Sequence, residues 1–413
     1  MRAIPARIFF DLCLVVPFLL IVGCGGSSST SGSSQQSETS TPASNVQAIL
    51  VNTGPASTST PGTNSDYVDG AFTSVTVCVP GSTTSCQTIN GILVDTGSSG
   101  LRILSSALTV SLPQQTDSSG NAIAECAAFA DGVTWGPVQT ADVKIAGEQA
   151  SSLPIQIIGS PNFSTIPADC SSQGQPEDDL AGLGANGLLG LGTSVQDCGA
   201  DCATSGPLSL GTYYTCPSSG CTDTTEGLAQ QVQNPVAAFA TDNNGVILEL
   251  PAVSGAEVSV SGSLIFGIGT QSNNGLGGAT VFGTSSNGDF NTTFQSTKYP
   301  SFLDSGSNAI YFLNASAAGI PVCTNLTFFY CPSSPQNISV VNDGTNGASG
   351  SVSFAVSNAT TLVSNPDDAA INGLAGPSPG IFDFGLPFFF GRNVYTAIEG
   401  KSTPGGTGPY SAY

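Results

Sequence analysis

Two short phrases place groups that could do chemistry. Ile92-Leu93-Val94-Asp95-Thr96-Gly97-Ser98-Ser99 and Ser301-Phe302-Leu303-Asp304-Ser305-Gly306-Ser307-Asn308 each set one carboxylate at the end of an apolar run and follow it with Thr or Ser and then Gly. A single phrase of this kind is a turn by default, because Asp and Gly suit turns for local reasons. The same phrase twice, about half the chain apart, is one that folding could bring face to face. Two carboxyl groups sharing a site cannot both ionise cheaply, so one keeps its proton. One then serves as general base and the other as general acid. Competing chemistries are excluded by composition. With no His there is neither a Ser-His-Asp nor a Cys-His set, and no glycine-rich phosphate loop with Lys occurs. Asp242-Asn243-Asn244-Gly245 lacks the glutamate that a calcium loop requires. No metal or other cofactor is implied.

The elements that must position the two carboxylates read as β. Short runs rich in Val, Ile, Thr and Phe recur between Gly, Ser, Asn and Pro clusters: 72–79, 88–94, 143–145, 153–158, 246–250, 263–268 and 351–356. With 51 Gly and 26 Pro, turn material is abundant enough for many hairpins. Helices are expected only around Leu228 to Ala240 and from Pro366 to Leu374, where Asn365 could cap and Pro366 open the first turn. Each aspartate phrase is followed by a glycine-bounded apolar segment expected to be a strand, Gly187-Leu188-Leu189-Gly190-Leu191-Gly192 in the first half and Gly385-Leu386-Pro387-Phe388-Phe389-Phe390-Gly391 in the second. Two similar halves with one aspartate each imply a site at their junction.

At 413 residues, 39% of them hydrophobic, the chain can form two lobes around a packed core. It has 28 acidic residues against 7 Lys and Arg, a formal charge of −21, which disfavours nucleic acid and anionic membrane surfaces as partners. Arg2 and Arg7 precede a short apolar stretch, Leu12 to Val22, and then Ile21-Val22-Gly23-Cys24. The stretch is shorter than the roughly 20 residues a membrane span needs, and the ending resembles a bacterial lipobox with Cys24 as the lipidated residue. The expected organisation is a signal peptide at 1–23, lipidated Cys24 with a Gly/Ser/Thr-rich tether at 24–45, a first lobe at 46–240 with Asp95 and a second at 241–413 with Asp304. This places the protein in the bacterial cell envelope, lipid-anchored, with the outer membrane favoured, facing the periplasm or the surface. Of the 12 cysteines, Cys13 belongs to the signal peptide and Cys24 is the lipid site. The remainder are even in number, as in an oxidising compartment, with local pairs suggested for Cys78 and Cys86, Cys216 and Cys221, and Cys323 and Cys331. The connectivity of Cys126, Cys170, Cys198 and Cys202 stays open.

The order of these segments resembles the pepsin-like aspartic peptidases, and also a family of bacterial lipoproteins. The resemblance implies an all-β fold with few short helices, bilobal, with lobes related by a pseudo-two-fold axis. It rests on both Asp phrases, on Gly187 to Gly192, on Gly262-Ser263-Leu264-Ile265-Phe266-Gly267-Ile268-Gly269 and on Phe384-Gly385 through Glu399. Carried over by position, Asp95 and Asp304 are the catalytic pair, and Thr96 and Ser305 tie the two loops together. Gly97 and Gly306 allow close backbone approach, and Ser98 and Ser307 donate to the outer carboxylate oxygens. The flap falls at Phe129-Ala130-Asp131-Gly132-Val133-Thr134-Trp135-Gly136, where the family usually has a tyrosine; the position of that tyrosine's tryptophan partner is Arg102. Trp135 is either a substitute cover or a packed aromatic. No Lys or Arg lies between Cys24 and Asn45, so a basic prosegment is not expected.

Two functions fit. One is an aspartic endopeptidase, monomeric, acting on peptides or proteins and held to the membrane through Cys24. The other is a catalytically inactive pepsin-like lipoprotein that binds peptides or envelope proteins in its cleft. Intact aspartates, serines and glycines favour the first; Phe129 and Arg102 favour the second.

Overall fold

The computed structural model describes residues 44–55, 67–204 and 212–413. The signal peptide, Cys24 and nearly all of the tether lie outside the described residues, among which no helix is long and apolar enough to cross a membrane. Strands dominate, and the α-helices are single turns of four residues. The expected strands are all present, most of them within longer ones such as Cys86–Asp95 and Glu148–Ile158, while those expected at 72–79 and 263–268 start earlier and end at Cys78 and Phe266. β-branched and aromatic side chains pack well on a pleated surface. The hairpin of Gln336–Asp343 and Ser349–Val356 shows the rule plainly: Ile338, Val340, Val352, Phe354 and Val356 point inward, while Ser351, Ser353 and Ala355 face water.

Each aspartate sits where one strand is threaded between two others. Cys86–Asp95 runs parallel to Gly187–Leu191, with Asp95 beside Gly190. The strand that leaves the aspartate loop, Ser99–Leu104, pairs antiparallel with the other edge of Gly187–Leu191. The second half repeats this: Thr297–Leu303 runs parallel to Ser378–Phe384, whose other edge pairs antiparallel with Ile310–Leu313. A loop pinned on both sides by one strand has little freedom, so each carboxylate is held by backbone pairing rather than by its own turn.

The halves share one sheet. Val46–Asn52 pairs with Gly70–Cys78 on one side and with Val260–Phe266 on the other, and Gly245–Leu250 continues from there to Arg392–Ala397. Beneath Asp304 the core is aromatic: Phe312 stacks on Phe382 at 5.3 Å between centroids, and Phe384 lies 4.9 Å from Phe388. Burying each such ring stabilises the fold by about 1.5–3 kcal/mol.

Three expectations need correction. Leu228 to Ala240 is not a helix. Only Pro235–Ala238 forms a 3-10 turn, opened by Asn234, whose side chain accepts from Val236 N. Pro366 to Leu374 is also not helical. Asn365 makes a local turn by accepting from Asp367 N at 3.3 Å and donating to Asp368 at 2.9 Å, and Ala370–Ile371 then pairs as a short strand. In the second half the threading strand is Ser378–Phe384, which ends just before Gly385, and Leu386–Phe388 is a 3-10 turn. Pro387 has no N–H to give to a ladder, which suits that turn better than a central strand.

Five disulfides form: Cys78–Cys86, Cys216–Cys221 and Cys323–Cys331 as expected, with Cys126–Cys170 and Cys198–Cys202 resolving the open set. Cys126–Cys170 spans 44 residues and ties the flap strand to the Ala168–Ser171 turn, whereas Cys216–Cys221 spans only 5. Loop-closure entropy grows with span. Replacing the first pair by serines is therefore expected to cost about 4 kcal/mol and the second about 2, read as a larger fall in urea midpoint for the first.

Candidate active site

The two phrases are laced together by reciprocal hydrogen bonds. Thr96 N donates to Ser305 Oγ at 3.1 Å and Ser305 N donates to Thr96 Oγ1 at 3.0 Å. Each hydroxyl then donates onward across the junction, Thr96 Oγ1 to Leu303 O at 3.2 Å and Ser305 Oγ to Val94 O at 2.8 Å. A hydroxyl suits both positions because one small oxygen accepts an amide and donates to a carbonyl at once. These bonds bring Asp95, 1% exposed, and Asp304, fully buried, into one site.

Within each loop the carboxylate is bound alike. Gly97 N donates to Asp95 Oδ1 at 2.8 Å, and Gly306 N to Asp304 Oδ1 at 2.7 Å. Ser98 Oγ donates to Asp95 Oδ2, and Ser307 Oγ lies 3.1 Å from Asp304 Oδ2. The glycines are required by space: a Cβ on Gly97 would run into the Asp304 carboxyl, and one on Gly306 would stand 2.8 Å from Asp95 Oδ1. Thr96 and Ser305 thus bond across the junction, Gly97 and Gly306 stand where a Cβ would meet the facing carboxyl, and Ser98 and Ser307 contact the aspartates.

The threading strands differ in charge at one position beside the carboxylates. By register, Leu188 pairs with Leu93 in the first half, and Asp383 takes the equivalent place beside Phe302 in the second. Asp383 is fully buried, and its Oδ2 lies 2.6 Å from the same Ser307 Oγ that contacts Asp304. One hydroxyl proton cannot be given fully to both, so a proton held by one of the two carboxyls would complete the second contact. Burial, then the charge of Asp95, then that of Asp383, hold the Asp304 carboxyl well above the usual carboxylate range. Burial and its acidic neighbours thus favour the protonated form of Asp304. Asp383 was missed in the sequence, although a lone acid in Ile381-Phe382-Asp383-Phe384 was a signal.

The flap is the hairpin Ala122–Ala128 and Gly132–Ile145, closed at its tip by Phe129 N donating to Gly132 O at 2.8 Å. Phe129 and Arg102 meet: the guanidinium lies 5.8 Å from the ring centroid. Arg102 is fully buried and bonds Glu125 Oε1 at 2.5 Å on the flap strand, Asp197 Oδ2 at 3.0 Å and Ser99 O at 3.0 Å. The missing tyrosine and its partner are thus replaced together by an aromatic ring on a buried cation. Burial, outweighing Arg102, pushes Glu125 above its ordinary value. Trp135 is no cover. It is buried edge-on against Tyr214 at 5.1 Å and donates to Phe163 O at 2.8 Å.

Beside Asp95 the flap leaves a cavity of about 20 Å3, walled by Tyr67, Leu93, Phe129, Leu183 and Leu188. That is room for a water. A larger cleft of about 190 Å3 opens along Thr96 to Ser99, with Thr193, Asn287 and Phe302 on its walls. Among the described residues no cluster of His, Cys, Asp and Glu suited to a metal occurs.

Asp304 and the buried Asp69 are both raised, chiefly by burial. Their ordinary value is 3.8, so the folded state holds protons that the unfolded chain releases above that pH. Their contribution is fully present below 3.8 and is lost as pH climbs through their raised values. Asp117, held down to about 2 by Thr215 and Asn121, acts in the opposite sense only below 3.8. Urea midpoints should fall from about pH 4 toward neutrality, and Asp304→Asn should flatten that fall.

The fold can be compared with solved structures. A crystal structure of an aspartic proteinase from Irpex lacteus matches with a TM-score of 0.52 at 14% identity, over 89% of this chain and 96% of that one. At that identity the likeness concerns the fold, which is bilobal, mostly β and pepsin-like. No curated protein matches the sequence. A family model described as "Protein of unknown function (DUF3443)" matches residues 41–413. That span takes in both aspartate loops, both threading strands and the flap, and the chain belongs to the DUF3443 family.

Proposed function

We propose that the protein is an aspartic endopeptidase of the bacterial envelope, tethered through a lipidated Cys24 and acting on peptides or proteins at acid pH. The observation that carries this reading is the buried pair itself: Asp95 and Asp304 held together by the Thr96 and Ser305 bonds, with the proton kept on Asp304. In the reaction Asp95 takes a proton from water as the oxygen attacks the scissile carbonyl carbon, and Asp304 gives its proton to the carbonyl oxygen. The tetrahedral diol then collapses: a diol proton returns to Asp304, and Asp95 delivers its proton to the leaving nitrogen as the C–N bond breaks. No covalent intermediate is needed. The same pair and cleft would also serve a module that only binds peptide, a reading favoured by the small cavity beneath Phe129.

Incubation of the purified protein with denatured protein substrates from about pH 3 to 7 separates the two. Cleavage is expected on the acid side, falling by about a thousandfold in Asp95→Asn and in Asp304→Asn; no cleavage at any pH would leave the binding module. A second expectation concerns Asp383, whose charge helps to keep the proton on Asp304. In Asp383→Asn the alkaline limb of the kcat/KM profile should move to lower pH, because Asp304 then gives up its proton more readily.

A further inference from the structure

We propose that Tyr67 is the specificity-determining residue of this site. Its ring fills the apolar pocket beside Asp95 and restricts a bound peptide to glycine or alanine at the position that faces it. The inference rests on the reading of the cleft as a peptide site. The pocket has an apolar side, from Leu93, Phe129, Leu183 and Leu188, carries Asp131 and Glu177 on the remainder, and adjoins both Asp95 and the backbone of Gly306. Such a wall next to the reacting pair would hold a large apolar side chain of a substrate. Tyr67 stands in that wall and narrows the space. It is 6% exposed, packs edge-on against Phe72 at 5.5 Å and shares one apolar cluster with Phe129, Leu183 and Leu188. Its hydroxyl stands 3.4 Å from Gly306 O, in the loop that carries Asp304. What remains free is about 20 Å3, enough for a methyl group or a water and far short of a phenyl or isobutyl group.

The residues next to Tyr67 are fixed on both lobes. Tyr67 N donates to Thr53 O at 2.9 Å. Val68 is buried in the cluster of Tyr311, Ile371 and Leu374. Asp69 N donates to Ala369 O at 2.7 Å, and Asp69 Oδ1 accepts from Ile371 N at 2.6 Å. A ring whose own backbone is bonded to the first half, and whose next two residues are tied to the second, is a built part of the cleft wall.

The test uses the full chain carrying Asp95→Asn, so that binding is read without turnover, and two peptides of about eight residues that differ only in Gly or Phe at the central position. Calorimetric titration near pH 4 should show the Gly peptide bound at least tenfold more tightly than the Phe peptide when Tyr67 is present. In Tyr67→Ala the preference should reverse. Tyr67→Val, which empties the pocket with less loss of packing, should reverse it as well and keeps the test decisive if the alanine variant does not fold. Equal binding of the two peptides by the Tyr67 protein, an unchanged preference in the valine variant, or no binding of either peptide would each overturn the proposal. Failure of the peptidase reading is seen elsewhere, as a lack of cleavage by the native chain. A Gly preference that depends on Tyr67 would survive that failure.

Discussion

Two buried carboxyl groups placed face to face repel one another once both are charged, and a site that contains them must hold them together against that repulsion while keeping one proton in place. The lacing of Thr96 and Ser305 does the first. Four hydrogen bonds cross the junction, each worth only about 0.5–1.5 kcal/mol net, yet all are buried and reciprocal, so none can be lost without stranding its partner. Burial does the second, because charge on Asp304 is costly where water is excluded. The threaded strands, the shared sheet and the glycines that let the loops touch all follow from the need to bring two chain segments this close.

The pseudo-symmetry breaks where chemistry needs it to. A fully symmetric pair would leave the proton shared evenly, but Asp383 stands where the first half has Leu188, and its charge adds to that of Asp95 in keeping the proton on Asp304. The cover is asymmetric too. The flap belongs to the first half alone, and it is positioned by Arg102, whose guanidinium joins Phe129 at the tip to Glu125 on the flap strand and to Asp197. A buried cation between two carboxylates is expensive to break, since removing one partner leaves an unpaired charge. The Cys126–Cys170 bridge restrains the same hairpin from its outer face.

Much of the site was legible in the chain. The aspartate loops depend on local residue types, Asp, Thr or Ser, Gly and Ser in order, and these occur as contiguous phrases. The strands follow from short apolar runs, and the local disulfides from cysteine spacing. The two helices failed because Asn365 and Pro366, or Asn234 and Pro235, are equally good at starting a turn, and no apolar periodicity follows them to carry a helix onward. The second threading strand was placed one segment too late because a run of Phe388, Phe389 and Phe390 is as apolar as the strand before it. Asp383, Tyr67 and the Arg102 partners could not be paired with the site from sequence, as each acts across a long separation.

Residue order alone specified two acid loops, a β fold and an oxidised set of cysteines, because turn chemistry, alternation and pairing distance are short-range properties. Packing in three dimensions settled which carboxyl keeps its proton, what replaces the flap tyrosine and what fills the pocket beside Asp95. Those outcomes depend on burial and on contacts between residues such as Asp304 and Asp383, Arg102 and Glu125, or Tyr67 and Gly306. Electrostatics and excluded volume are set by neighbours in space, and only the folded chain brings these neighbours together.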